Sequence, residues 1–263
     1  MSHSPSASIF ISPSQTPPKP YPQFILFGDS ITQMSTAGLL SPLSEQYSRR
    51  MDILSRGMSG YTSQMGLNVM QHWFPTRPPS DHTPQVKLMT LFFGANDATL
   101  PGCPQHVPLS AYTGYLRSII THPGIASHGT KIILITPPPV DEWQLGDKER
   151  TASNTRAYAA ACRQLGRDMN LPTLDLWTVF MTKAGWRDDQ PEQPLIGSLA
   201  APRNQVLTDL LSDGLHFTPA AYQIVFEALL GLIQEKLPED VPDKLPFVFP
   251  DWKDQLGVVS RSS

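Results

Sequence analysis

Five short apolar runs alternate along this chain with segments of helical character, and that alternation leaves few folds open. The runs are Phe24–Phe27, Asp52–Leu54, Val86–Phe93, Lys131–Thr136 and Thr173–Leu176. Between them, Thr62–Phe74 opens on a Thr or Ser cap and stops before Pro75, and Leu109–Thr121 and Ala152–Met169 follow the same logic. In the last of these, Ala157, Tyr158, Ala161, Cys162 and Leu165 recur at spacings of three and four, one face of a helix. A final helix is capped by Thr218, has Pro219 at its first position and carries an apolar stripe of Ile224, Val225, Ala228, Leu229, Leu232 and Ile233. Strands alternating with helices argue for a parallel sheet covered on both faces, the α/β class.

At 263 residues, 40% of them hydrophobic, the chain can bury a sizeable core. No internal repeat or second composition regime breaks it, so one domain is expected over residues 22–237. A flexible leader would precede it at 1–21, and a Pro-rich tail would follow at 238–263. The tail carries Leu245, Phe247, Val248, Phe249 and Trp252. So many large apolar groups imply that it packs on the domain or on a second subunit, with a homodimer the arrangement expected. Residues 184–205 read as a long surface loop.

Composition excludes several classes. A formal charge of −3, with 20 Lys+Arg against 23 Asp+Glu, offers no footprint for nucleic acid, and no basic amphipathic run suggests a membrane surface. No apolar stretch approaches the roughly 18 residues of a membrane span, and the N-terminus lacks the charged start and apolar run of a signal peptide. Two cysteines, Cys103 and Cys162, make no disulfide framework, although one bond stays open. A cytoplasmic protein is expected.

The chemistry gathers at strand ends, where an open parallel sheet places its ligands. The first run ends in Gly28-Asp29-Ser30, which alone would be a turn. The third ends in Gly94-Ala95-Asn96-Asp97. After the second comes SRGMSGYTS, where Gly57 and Gly60 would let backbone amides approach a ligand. Just upstream of the last helix, Asp213 stands three residues before His216. Together these are the parts that acyl transfer needs. A serine hydroxyl requires a base, an imidazole serves best when a carboxylate holds its other nitrogen, and the oxyanion requires preorganised N–H donors. Asp29 and Asp97 are expected to bind neighbouring backbone amides rather than to act as acids. Cys103 and His106 are a lone pair, too few for zinc, and no metal is expected.

In order along the chain, GDSI at Gly28–Ile31, Gly60 in MSGYTS, GAND at Gly94–Asp97 and DGLH at Asp213–His216 resemble the four sequence blocks of the SGNH, or GDSL, hydrolase superfamily. RGMSGYTS, FFGANDA and TDLLSDGLHFTPAAY look most like its isoamyl acetate-hydrolysing esterases, and the similarity runs from about Phe24 to Trp252. The resemblance implies a three-layer α/β/α sandwich around a five-stranded parallel sheet and a serine esterase with no cofactor. Ser30 would be the nucleophile, His216 the base and Asp213 its orienting partner. Oxyanion donors would be the Ser30 and Gly60 N–H groups and the Asn96 side chain. Ser55, Met58 and the Gln64-Met65 pair depart from residues usual in such relatives, and they bear on substrate choice rather than on the triad. Small acetate-type esters are the expected substrates. O-acetylated sugars, lysophospholipids or thioesters are the rivals, and a silent binding module is a rival of another class.

Overall fold

A computed structural model describes residues 19–187 and 194–252. Its sheet is built from β1 (Gln23–Gly28), β2 (Asp52–Gly57), β3 (Val86–Phe92), β4 (Lys131–Ile135) and β5 (Thr173–Leu174). All pairings are parallel and the order is β2-β1-β3-β4-β5. The helices are α1 (Ser30–Gln33), α2 (Ser41–Gln46), α3 (Ser63–Trp73), α4 (Leu109–Ile120), α5 (Pro123–His128), α6 (Glu142–Leu145), α7 (Ala152–Asp168), α8 (Leu176–Lys183), α9 (Gln205–Leu210) and α10 (Pro219–Lys236). One π turn, Thr36–Leu40, joins α1 to α2.

Side-chain alternation along the strands explains the three layers. Phe24 and Leu26 of β1 face a core shared with α8, α9 and α10, in company with Leu88, Phe92, Ile133 and Ile135. Ile25 and Phe27 face the other way, with Met89, Leu91, Ile132 and Leu134, against α3, α4 and α7. From α10, Val225, Leu229 and Ile233 are buried, while Ile224, Ala228 and Leu232 are only partly so. Gly38 in the π turn lets α10 come close, since a Cβ there would lie 2.4 Å from the Cβ of Tyr222. The Tyr222 hydroxyl then donates to Ile31 O of α1 at 2.6 Å, so the last helix braces the turn that carries Ser30.

Three expectations change. The fifth strand stops at Leu174 rather than Leu176, because the Asp175 carboxylate accepts from Thr178 N at 3.2 Å and caps α8. The 184–205 stretch is not simply a surface loop: Trp186 is buried, its ring centroid 6.2 Å from that of Trp177, and Ala201 is buried too. Residues 188–193 of that stretch lie outside the described residues. Gly57 has a packing role, since a Cβ there would lie 2.1 Å from Gln33 N; it admits α1 rather than a ligand.

The described part of the tail lies on the body. Asp240 is fully buried between Lys87, 3.1 Å away, and Lys131, 2.6 Å away, and its carbonyl accepts from the Tyr47 hydroxyl at 3.0 Å. Further on, Val248 N donates to Arg49 O at 2.9 Å, and both Arg49 and Arg50 stack over the Phe247 ring. Cys103 and Cys162 are free thiols. Among the described residues, no helix is long and apolar enough to cross a membrane.

Candidate active site

The strand order reverses at β1: the chain leaves it for β2 on one side and reaches β3 on the other. In an open parallel sheet this switch point opens a crevice at the carboxyl ends. Ser30, Gly60 and Asn96 follow β1, β2 and β3 respectively, so three adjacent strands deliver them to that crevice.

Ser30 is the first residue of α1, where the N–H precedes any intrahelical partner. Asp29 caps the helix, its Oδ1 accepting from Ile31 N at 2.9 Å. The Ser30 hydroxyl donates to His216 Nε2 at 2.9 Å, across 186 residues of sequence. His216 Nδ1 in turn donates to Asp213 Oδ2 at 2.7 Å, and Asp213 Oδ1 accepts from the backbone N–H groups of Leu215 and His216 at 3.0 and 2.8 Å. Partial burial works against the Asp213 charge, but these bonds from His216 and Leu215 outweigh it and hold the carboxyl below its ordinary range. The loop has its own scaffold. Gly214 O accepts from Asp141 N at 2.9 Å, and Gln144 Nε2 donates to Leu211 O at 3.0 Å, so α6 fixes the turn bearing Asp213 and His216.

The loop after β2 is pinned nearly everywhere. Met58 N donates to Gly28 O at 2.9 Å, Ser59 N to Gln33 Oε1 at 2.8 Å and Tyr61 N to Met58 O at 3.1 Å. Among the described residues, Gly60 N–H is the one amide from 58 to 61 with no such partner. Its φ of +78° is the left-handed region, which is why glycine stands there. Asn96 is buried, and its Nδ2 donates to Tyr61 O at 2.9 Å, which leaves the second amide hydrogen uncommitted. Asp97 receives Ser63 N at 3.0 Å and also the Ser63 hydroxyl, so it anchors the start of α3 to the end of β3. Asp29 thus binds an amide of its own turn, as its position in the sequence suggests, whereas Asp97 reaches across to the Ser63 amide, 34 residues away. His106 Nδ1 bonds to Thr99 O at 2.6 Å and serves its own loop.

Two participants carry no sequence signal. Arg150, in the link between α6 and α7, donates to Ala95 O at 3.3 Å and to Asn96 Oδ1 at 3.2 Å. It also donates to Gln105 Oε1 at 3.1 Å, and Gln105 Nε2 donates to Gly60 O at 2.7 Å. An open groove of about 360 Å³ is lined by Tyr61, Met65, Asn68, Val69 and His72, and a hollow of about 200 Å³ by Leu145, Gly146, Lys148, Glu149 and Arg150. Tyr61 of the first and Arg150 of the second both bond to Asn96. A larger cavity, about 690 Å³, lies beside the amino end of β5 and contains none of these groups.

The arrangement supplies a hydroxyl–imidazole–carboxylate relay at the end of β1, with the uncommitted Gly60 N–H and second Asn96 amide hydrogen in the loops after the two neighbouring strands, the equipment for attack on an acyl carbon. The chain matches the family model described as GDSL-like Lipase/Acylhydrolase over residues 26–224. It belongs to the GDSL-like lipase/acylhydrolase family. This GDSL hydrolase is 34% identical over 247 residues to an Arabidopsis thaliana GDSL esterase/lipase, covering 87% of the chain and 91% of the relative. It is also 34% identical to the Mus musculus isoamyl acetate-hydrolyzing esterase 1 homolog, covering 89% of the chain and 88% of the relative. Its fold is that of a lipase/acylhydrolase from Enterococcus faecalis (TM-score 0.57, 22% identity, 82% of this chain and 96% of that one). An acetyl xylan esterase shares the fold as well (TM-score 0.56, 19% identity, 80% and 99%). The GDSL hydrolase is a carboxylic ester hydrolase with a three-layer α/β/α architecture.

The site also carries an electrostatic load. Burial pushes the Asp29 carboxyl up to about 7; the Ile31 bond and Arg150 pull it down, and Asp97 pushes it up further. Burial likewise pushes Asp97 up to about 6 against the bonds from Ser63. An acid with a raised folded-state pKa keeps its proton after the unfolded chain has lost it. Its contribution to stability is therefore present at low pH and lost as pH rises from about 4 through the folded value. Replacing Asp29 with Asn removes this pH dependence and keeps the acceptor for Ile31 N. The expected result is that wild type loses stability between pH 5 and 8, by up to a few kcal/mol, more steeply than Asp29→Asn. Urea unfolding at both pH values reads this; parallel losses in the two proteins would contradict it.

Proposed function

We propose that this hydrolase cleaves small acetate-type esters through an acyl-enzyme on Ser30. The observation that carries the reading is the relay Ser30 Oγ to His216 Nε2 at 2.9 Å and His216 Nδ1 to Asp213 Oδ2 at 2.7 Å. His216 takes the hydroxyl proton as Ser30 Oγ bonds to the ester carbon, and Asp213 steadies the imidazolium. The carbonyl oxygen becomes an oxyanion between Ser30 N–H, Gly60 N–H and the Asn96 amide. Collapse expels the alcohol, which receives its proton from His216. Water, deprotonated by the same imidazole, then attacks the acyl-Ser30 ester, and the acid leaves as the serine recovers its proton.

The relatives named for isoamyl acetate favour a short acyl group. A fold neighbour named acetyl xylan esterase makes an O-acetylated sugar the second reading. Nitrophenyl esters from acetyl to palmitoyl, assayed with an acetylated glycoside, separate these. Rates highest at acetyl and falling with length are expected. A steady rise with chain length would overturn the short-acyl assignment, and a clear preference for the glycoside would replace the alcohol half of it.

A further inference from the structure

The Arg150 side chain is about nine-tenths buried, yet it lies on no strand, caps no helix and is no member of the relay. Its guanidinium makes bonds to Ala95 O, Asn96 Oδ1 and Gln105 Oε1, all acceptors at the end of β3 or in the loop after it. We infer that Arg150 is the positioning residue of the oxyanion site, acting on Asn96 directly and on Gly60 through Gln105. This rests on the assignment of Asn96 and Gly60 as oxyanion donors.

A guanidinium has donors only, so the Asn96 amide must turn its oxygen to Arg150 and its NH₂ away. A carbonyl has acceptors only, so Tyr61 O takes one of those two hydrogens at 2.9 Å. The remaining hydrogen is the one available to an oxyanion. A cation on Oδ1 also polarises the amide and strengthens that donor. The Gln105 amide is ordered in the same way. Its oxygen is held by Arg150, which turns its NH₂ toward Gly60 O at 2.7 Å and fixes the peptide that follows the left-handed Gly60. One side chain thereby orients the Asn96 donor directly and steadies the residue that carries the Gly60 donor.

A plainer role is to balance the buried carboxylates, since Arg150 lowers the pKa of Asp29. Lysine would still supply that charge, but not the planar fork that serves three acceptors at once. The test is steady-state kinetics of Arg150→Lys and Arg150→Met, each alone and combined with Asn96→Ala, on p-nitrophenyl acetate, with folding checked by circular dichroism and thermal unfolding. Arg150→Lys, which keeps the cation, serves if Arg150→Met does not fold. The expected result is a kcat lower by about tenfold or more with KM within about twofold, and an effect that shrinks severalfold in the Asn96→Ala background. A folded Arg150→Lys with near-normal kcat would overturn the inference, as would losses that multiply in full with Asn96→Ala. If Asn96→Ala alone is near normal, the oxyanion assignment has failed and this inference falls with it, an outcome separable from a slow Asn96→Ala beside a normal Arg150 variant.

Discussion

Ser30→Ala lowers kcat toward a short acetate ester by about 10⁴- to 10⁶-fold, the largest effect expected of any single substitution here. The variant loses the atom that bonds to the acyl carbon, so the two-step route through an acyl-enzyme closes altogether. What activity is left comes from binding and oxyanion stabilisation of attack by water. Stability should change little, because the fold does not depend on the hydroxyl. The described hydrogen bond of Ser30 Oγ is to His216, and α1 is held by Asp29, which accepts from Ile31 N, and by the Tyr222 hydroxyl on Ile31 O. Steady-state kinetics and thermal unfolding of the same preparation check both halves. A folded Ser30→Ala with substantial activity would mean that the acyl group is never carried on Ser30.

Asn96→Ala is expected to lower kcat by roughly a hundredfold to a thousandfold, about 2.7–4 kcal/mol, while KM moves far less. The second hydrogen on Asn96 Nδ2 meets a full negative charge only in the tetrahedral state, so its loss shows in the chemical step. Asn96→Asp should do no better than alanine, because a carboxylate repels the oxyanion. Asn96→Ala also removes the side-chain donor of Tyr61 O and one of the three acceptors of the Arg150 guanidinium, so a modest loss of stability accompanies it. A rise in KM at unchanged kcat, in a folded variant, would show that Asn96 is only a turn residue.

The layers of this fold were legible because each depends on local pattern. Alternating apolar residues along Phe24–Phe27 send side chains to two cores, and the Thr218-Pro219 start of α10 is written in two adjacent residues. The candidate site was legible for a related reason: Gly28-Asp29-Ser30, Gly60 and Gly94–Asp97 follow strands whose ends can be read. What stayed hidden depends on pairs remote in sequence. Arg150 and Gln105 are 45 residues apart, in segments with no period, and nothing local marks either as a neighbour of Asn96. Gly57 looked like Gly60 in the sequence, yet one glycine makes room for the backbone of Gln33 while the other adopts a left-handed turn. Trp186 stands in a polar stretch, and its burial comes from Trp177 and Met181 of α8 and from Arg156 of α7, which stacks over its ring.

The most direct measurement is mass spectrometry of the intact and digested protein after reaction with a fluorophosphonate. The probe forms an Oγ–P bond with an activated serine and expels fluoride, so it reports on the hydroxyl's nucleophilicity without reference to any natural ester. One adduct per chain is expected, located on Ser30, absent from Ser30→Ala, and much slower to form in His216→Ala. A folded protein that stays unlabelled, or one labelled on another serine, would contradict the Ser30 assignment.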